Sequence, residues 1–177
     1  MTKPPQRVRI AKLQDLQIDG VVAIDAACKH LLHLAGIPTS EAPPRGLAGI
    51  AKLTKVHNVL VADADGVVAG YAAWRDESPG VAYLEDLAVK PELHRLGLGT
   101  RLLEAVRADA SAVSLPILVT RCWKSAKAGR ALLEKSGFQP LSGDSGERAA
   151  LWRAEQEGPG GPGLVKEGQV VMVQSLL

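Results

Sequence analysis

Three Trp, two Tyr and one Phe are all the aromatic side chains in 177 residues, so Leu, Val and Ala must fill the interior. Cysteine is as scarce. Cys28 and Cys122 stand without C-x-x-C spacing and without a cluster of histidines beside them. That excludes a disulfide framework and a zinc site, and leaves two free thiols. Excess charge is missing too: 21 Lys and Arg against 19 Asp and Glu give a formal net charge of +2, too little to argue for nucleic acid. No apolar run approaches the ~20 residues needed to span a bilayer. Met1–Arg7 carries no apolar stretch of signal-peptide type, so no membrane partner and a cytoplasmic setting are expected. What remains is ordinary for a globular chain, with 46% hydrophobic and 23% charged residues, long enough for one sizeable core. Residues 1–157 read as one domain. Beyond Glu157 the composition turns to Gly-Pro-Gly-Gly-Pro-Gly, which is linker chemistry, so 158–177 read as a linker and an apolar tail.

Val8-Arg9-Ile10-Ala11 alternates as a first strand does, and Asp15 is placed to cap a helix running through Ile18, Val21, Val22, Ile24, Ala27 and Leu31. His30 and His33 near its end suit the negative end of the helix dipole rather than a metal. The proline-rich stretch Pro38–Gly46 breaks the pattern, and Leu47–Lys55 reads as a short second helix. Asn58–Ala62 and Val67–Trp74 read as antiparallel strands, because Asp65-Gly66 between them is a strong hairpin signal. Asp76–Gly80 is a second turn. Pro116–Thr120 is a further buried strand, and the helical crossover before it favours parallel pairing. Lys124–Ser136 reads as a helix closed by Gly137, with Phe138–Leu141 and Arg148–Trp152 as a final hairpin. The tail holds Val170-Val171-Met172-Val173, of high β-propensity. Either it is a disordered extension, or it adds as an edge strand to its own sheet or to that of a second subunit in a homodimer.

The stretch that organises the rest runs from Leu84 to Asp109. Leu84, Leu87, Ala88 and Val89 suit a buried strand, which Lys90-Pro91 stops. His94-Arg95-Leu96-Gly97-Leu98-Gly99-Thr100 then opens a helix whose apolar face is Leu98, Leu102, Ala105 and Val106. The first turn of a helix leaves backbone N–H groups unpaired, and glycine lets an anion approach them, so a phosphate or pyrophosphate is the natural guest. A bare tight turn in an interaction protein is the alternative. The dinucleotide fingerprint fails, since Leu102 stands at its third glycine, and so does the P-loop, since no Gly-Lys-Ser/Thr follows.

These residues resemble the GNAT superfamily of acetyl-CoA-dependent N-acyltransferases. Its signature is an apolar strand ending in Val-x-Pro, then Gln/Arg-x-x-Gly-x-Gly/Ala at a helix start; His94 stands at the Gln/Arg position here. Ala131–Phe138, ending in Gly137-Phe138, resembles the end of the family's last helix. The resemblance covers roughly Arg7 to Trp152. It implies an α/β fold of the α+β kind, with a mixed, mostly antiparallel central sheet flanked by helices. It also implies transfer of an acetyl group from acetyl-CoA, as co-substrate and without a metal, to a primary amine of a small molecule or a protein. By the same resemblance Leu87, Ala88 and Val89 meet the acetyl and pantetheine parts, the amides of Arg95, Leu96, Gly97, Leu98, Gly99 and Thr100 hold the pyrophosphate, and Glu85 is the candidate general base. Glu85 reads equally as a strand-edge carboxylate, and strand alternation sets it and Asp86 on opposite faces. Two positions depart from the family pattern. Leu133 replaces the tyrosine that protonates the leaving thiolate, and Ala126 replaces a helix-start Asn. Tyr83, Cys122 and Trp123 are the nearby substitutes. A non-catalytic acyl-CoA-binding module is therefore the alternative.

Overall fold

The computed structural model describes residues 7–157 and 165–176. In chain order the elements are β1 (Val8–Lys12), α1 (Ile18–Leu34), α2 (Gly46–Val56), β2 (Asn58–Ala64), β3 (Val67–Ser78), β4 (Val81–Val89) and α3 (Leu98–Ala112). They are followed by β5 (Ile117–Trp123), α4 (Lys127–Lys135), β6 (Gln139–Pro140), α5 (Glu147–Glu157) and β7 (Gln169–Ser175). The strands form a seven-stranded sheet in the order β1-β2-β3-β4-β5-β7-β6. β4 and β5 pair in parallel; β1 with β2, β2 with β3, β5 with β7 and β6 with β7 pair antiparallel. This is the mixed, mostly antiparallel sheet with helices that the sequence leads one to expect. The chain divides into two compact units, one taking in the chain to Arg75 and Asp86–Val106, the other Asp76–Glu85 and the chain from Arg107 on.

In the first unit the β2–β3 hairpin closes through Asp65 and Gly66 at φ +53° and +86°, the two left-handed positions that a tight hairpin turn requires. Asp63 Oδ1 accepts from Gly66 N at 2.8 Å and braces it. Val59 and Val61 of β2, with Tyr71 and Ala73 of β3, form a buried cluster with Val21 and Ile24 of α1 and Ile50 and Leu53 of α2. Ala64, Ala69 and Leu98, the first residue of α3, form another.

In the second unit Val81–Leu84 runs in register with Ile117–Thr120. Val81, Tyr83, Ile117 and Val119 pack with Ala149 and Trp152 of α5 and with Val171 and Val173 of β7. α4 begins three residues later than expected and ends in a Schellman motif: Gly137 sits at φ +92°, Gly137 N bonds Glu134 O and Phe138 N bonds Leu133 O, both at 3.0 Å.

Three expectations are overturned. Asp15 does not cap α1: it opens a 3-10 turn, Asp15–Gln17, and Gln17 stands at the N-cap of the helix without a side-chain capping bond. Arg148–Trp152 is not the second strand of a hairpin but lies inside α5, because Ala149, Trp152 and Gln156 recur at helical spacing and are the buried residues of that helix. The partner of β6 is instead β7, through Gln139↔Val173 and Pro140↔Met172. The tail strand joins its own sheet, and not at the edge: β7 lies between β5 and β6, and Val171, Met172 and Val173 are buried, as befits a strand covered on both faces. The glycine-proline stretch Gly158–Gly163 lies outside the described residues.

Candidate active site

Gly97 sits at φ +78° and Arg95 at φ +65°, a pair of left-handed residues that turn the chain from the end of β4 into α3. Arg101 N donates to Gly97 O at 3.1 Å, the first bond of the helix. The amides of Leu98, Gly99 and Thr100 precede it and have no acceptor within the helix. Among the described residues, no atom beyond its chain neighbours lies within 4 Å of where a Gly97 Cβ would be, and Arg95, Leu96 and Gly97 are exposed. The loop is thus an open cradle of backbone donors with the positive end of a helix behind it, which fits a phosphate group. Its two ends are tied down. Arg101 Nη2 donates to Val8 O at 2.8 Å, and His94 Nε2 lies 2.8 Å from Val89 O, so the ring carries its proton on that nitrogen.

β4 brings its own backbone to this loop. Lys90 N donates to Ala69 O of β3 at 2.8 Å; alternation therefore turns the backbone groups of Ala88 toward β3 and those of Leu87 and Val89 toward the other edge. The register with β5 stops at Leu84↔Thr120, where Thr120 Oγ1 donates to Leu84 O at 2.8 Å. Past that pair the outward backbone groups of β4 are met by side chains. Leu87 N donates to Asp86 Oδ1 at 3.0 Å. Val89 O accepts from Cys28 Sγ at 3.3 Å as well as from His94. Burial, reinforced by the Asp86 charge, pushes the Cys28 thiol up to about 11, so it remains a donor at neutral pH. Gly70 makes the close strand approach possible, since a Cβ there would lie 2.8 Å from Ala88 O.

Beneath β4 the first unit holds a set of buried charges. Asp25 of α1, 1% exposed, accepts from Arg45 N at 2.7 Å, Arg45 Nη1 at 3.0 Å and Tyr71 OH at 3.0 Å. Asp86 Oδ2 accepts from Tyr71 OH at 2.9 Å, Lys29 Nζ at 3.3 Å and Arg45 Nη1. Two carboxylates thus face two cations, with one hydroxyl hydrogen between them. Burial opposes the charge on Asp86, but Lys29 and Arg45, aided by the Tyr71 hydroxyl, hold its carboxyl below the usual range. Burial likewise opposes the Arg45 charge, yet Asp86, Tyr71 and Asp25 hold the guanidinium above its ordinary value. Burial, then Asp86 and Asp25, push the Tyr71 hydroxyl upward, so it stays protonated.

Leu87, Ala88, Val89 and Arg95–Thr100 are brought together in the first unit, at the end of β4 and the start of α3. Glu85 lies two residues before Leu87 in β4 and belongs to the second unit. At the position of the missing tyrosine, Leu133 is buried at 6% exposure. Of its substitutes, Tyr83 is 5% exposed, and Arg121 Nη1 donates to its hydroxyl at 3.3 Å. Burial pushes the half-buried Cys122 thiol upward. Sequence reasoning passed over Asp25, Lys29, Arg45 and Tyr71. The available signal was Asp25 itself, a carboxylate set among Val21, Ile24 and Cys28 on the face of α1 that packs against the core. Among the described residues no group of three or more His, Cys, Asp and Glu is arranged to hold a metal, and no helix is long and apolar enough to cross a membrane.

Solved structures share this fold at low identity. PaiA N-acetyltransferase from Thermoplasma acidophilum, in complex with coenzyme A, superposes with a TM-score of 0.69 at 16% identity over 96% of this chain and 99% of its own. The ribosomal-protein-S18-alanine N-acetyltransferase of Escherichia coli gives 0.66 at 20% identity over 96% and 94%. An acetyltransferase from Streptococcus agalactiae gives 0.71 at 15% identity over 96% and 99%. No curated protein matches the chain in sequence. A family model described as "Acetyltransferase (GNAT) family" matches residues 29–138, from α1 through the cradle loop to the Gly137-Phe138 turn. The chain belongs to the GNAT acetyltransferase family.

Proposed function

We propose that this family member is an N-acetyltransferase that moves the acetyl group of acetyl-CoA to a primary amine of a small molecule or a protein by direct attack. The observation that carries the reading is the junction of β4 and α3, where first-turn amides with no acceptor in the helix follow a strand that is past its register with β5. The amides of Arg95–Thr100 hold the pyrophosphate, and Leu87 and Val89 hold the acyl and pantetheine groups through their backbone. The neutral amine nitrogen attacks the thioester carbonyl and the C–S bond breaks, so that coenzyme A leaves as a thiolate that takes its proton from water. The Leu87 N–H stabilises the oxyanion, and Glu85 takes the proton the amine gives up, directly or through water. The coenzyme A–bearing relative is consistent with the donor; the acceptor is an amine by family chemistry.

One observation favours a second reading. A buried Leu133 supplies no proton to the leaving thiolate, which suits a non-catalytic acyl-CoA-binding module. Thermal shift with acetyl-CoA tests the site common to both readings: ligand at about 100 times its dissociation constant should add roughly 2.7 kcal/mol, and no shift refutes both. Thiol release across a panel of amines then separates them, and Glu85→Gln should lower that turnover by about 10²- to 10⁴-fold with acetyl-CoA affinity little changed if Glu85 is the base.

A further inference from the structure

We propose that Asp86 is a positioning residue for acyl transfer, setting the Leu87 N–H through its own carboxylate. The inference rests on the reading that Leu87 N–H meets the acyl oxygen. Leu87 lies past the point where β4 leaves its register with β5, on the edge turned away from β3, so among the described residues it has no partner in register on β5. Asp86 orients its amide instead: Oδ1 accepts from Leu87 N at 3.0 Å, the short local reach that Asp and Asn side chains make to nearby backbone.

A carboxylate free to rotate would be a poor guide for that amide. This one is not free, because its other oxygen takes donors from three separate places in the chain: Tyr71 on β3, Lys29 on α1, and Arg45 at the entry to α2. Arg45 is itself held by Asp25 through its backbone N at 2.7 Å and Nη1 at 3.0 Å. Oδ2 is the anchor and Oδ1 the guide. An arriving acyl oxygen takes over the hydrogen that Oδ1 holds in the free chain, and the carboxylate keeps its cationic partners. A buried ion cluster is weak evidence for stability in its own right, so the cluster acquires a purpose here: it fixes the donor on which the oxyanion depends.

Two conservative variants separate this role from plain structural support. Asp86→Asn loses the charge facing Lys29 and Arg45 and, with its oxygen drawn to those donors, turns its NH2 toward the Leu87 N–H. Asp86→Glu keeps the charge but lengthens the arm, so the local contact is lost. The measurements are melting temperature, turnover, and the ratio of acetyl-CoA to CoA affinity by calorimetry. For Asp86→Asn, melting and turnover should both fall and the preference for acetyl-CoA over CoA should shrink, since a second donor then faces the Leu87 N–H. For Asp86→Glu, melting should stay near wild type while turnover falls about tenfold or more and the preference for acetyl-CoA over CoA shrinks, as when an oxyanion donor is misplaced. Turnover that tracks melting in both variants overturns the positioning role and leaves the acetyltransferase reading standing. Absence of acetyl-CoA binding by the wild-type chain overturns that reading and the inference with it.

Discussion

Replacing Asp25 by Asn removes a charge from the more enclosed of the cluster's two carboxylates. The carboxylate accepts from Arg45 N, Arg45 Nη1 and Tyr71 OH and lies 3.9 Å from Lys29 Nζ. The variant takes one carboxylate away from the two cations and turns an amide donor toward one of them. Breaking a buried pair by removing one partner costs about 3–5 kcal/mol. The side chains of Arg45 and Lys29 keep 21% and 15% of their exposure, and that access to water favours the lower end, about 3 kcal/mol. For a chain of this size each kcal/mol moves the melting temperature by about 2–4 °C, so a drop of roughly 6–12 °C is expected. Urea unfolding followed by circular dichroism measures the free energy, and Arg45→Met, alone and combined with Asp25→Asn, completes a cycle in which the double variant should lose less than the sum of the singles. A loss for Asp25→Asn below about 1 kcal/mol, or strict additivity, would refute the view that these groups act as one network. The pH dependence has a definite sign. Asp86 is held below its ordinary 3.8 by Lys29, Arg45 and Tyr71 in spite of burial, so its contribution is present above about pH 4 and is lost only as pH falls through the lower folded-state value.

Gly70→Ala places a Cβ 2.8 Å from Ala88 O, 3.1 Å from Val89 Cγ2 and 3.2 Å from Leu102 Cδ1. Because a strand carbonyl cannot swing aside as a side chain can, a loss of about 1–3 kcal/mol is expected in denaturant melts, and a neutral variant contradicts the close strand approach. Gly99→Val, at the second residue of α3, should abolish acetyl-CoA binding while the circular dichroism spectrum is kept, since the branched side chain screens the first-turn amides; calorimetry with unchanged affinity refutes the cradle. Cys28, with its thiol pushed to about 11, should alkylate about a hundredfold more slowly at pH 8 than an ordinary cysteine of the same exposure, and mass mapping that finds it as reactive would contradict its burial and its bond to Val89 O.

Local chemistry made much of this fold readable. Asp65-Gly66 forces its hairpin, and Gly137 ends α4 because a left-handed residue is needed there. Gly97 and the apolar face of α3 mark a strand that runs into a helix through a donor-rich turn. Where two periods compete within a short segment, local reading fails. Arg148–Trp152 contains enough apolar residues to pass for a strand, and only the burial of Ala149, Trp152 and Gln156 together shows the helical period. The ion cluster was hidden for a different reason. Its members come from α1, the entry to α2, β3 and β4, and the bonds that reach Asp86 come from 15, 41 and 57 residues away, so no local pattern couples them. Arg45, in a proline-rich connection, looks like a solvated charge until the fold sets it between two carboxylates.

The most direct test is acetyl transfer itself: wild-type chain, acetyl-CoA and a panel of primary amines, from polyamines and amino acids to peptides with free amino termini or lysines, with free thiol read over time. The expected result is thiol release that requires an amine, saturates with acetyl-CoA, and falls by about 10²-fold or more in Glu85→Gln. Tight acetyl-CoA binding with no amine-dependent thiol release across the panel would contradict catalysis and leave a binding module in its place.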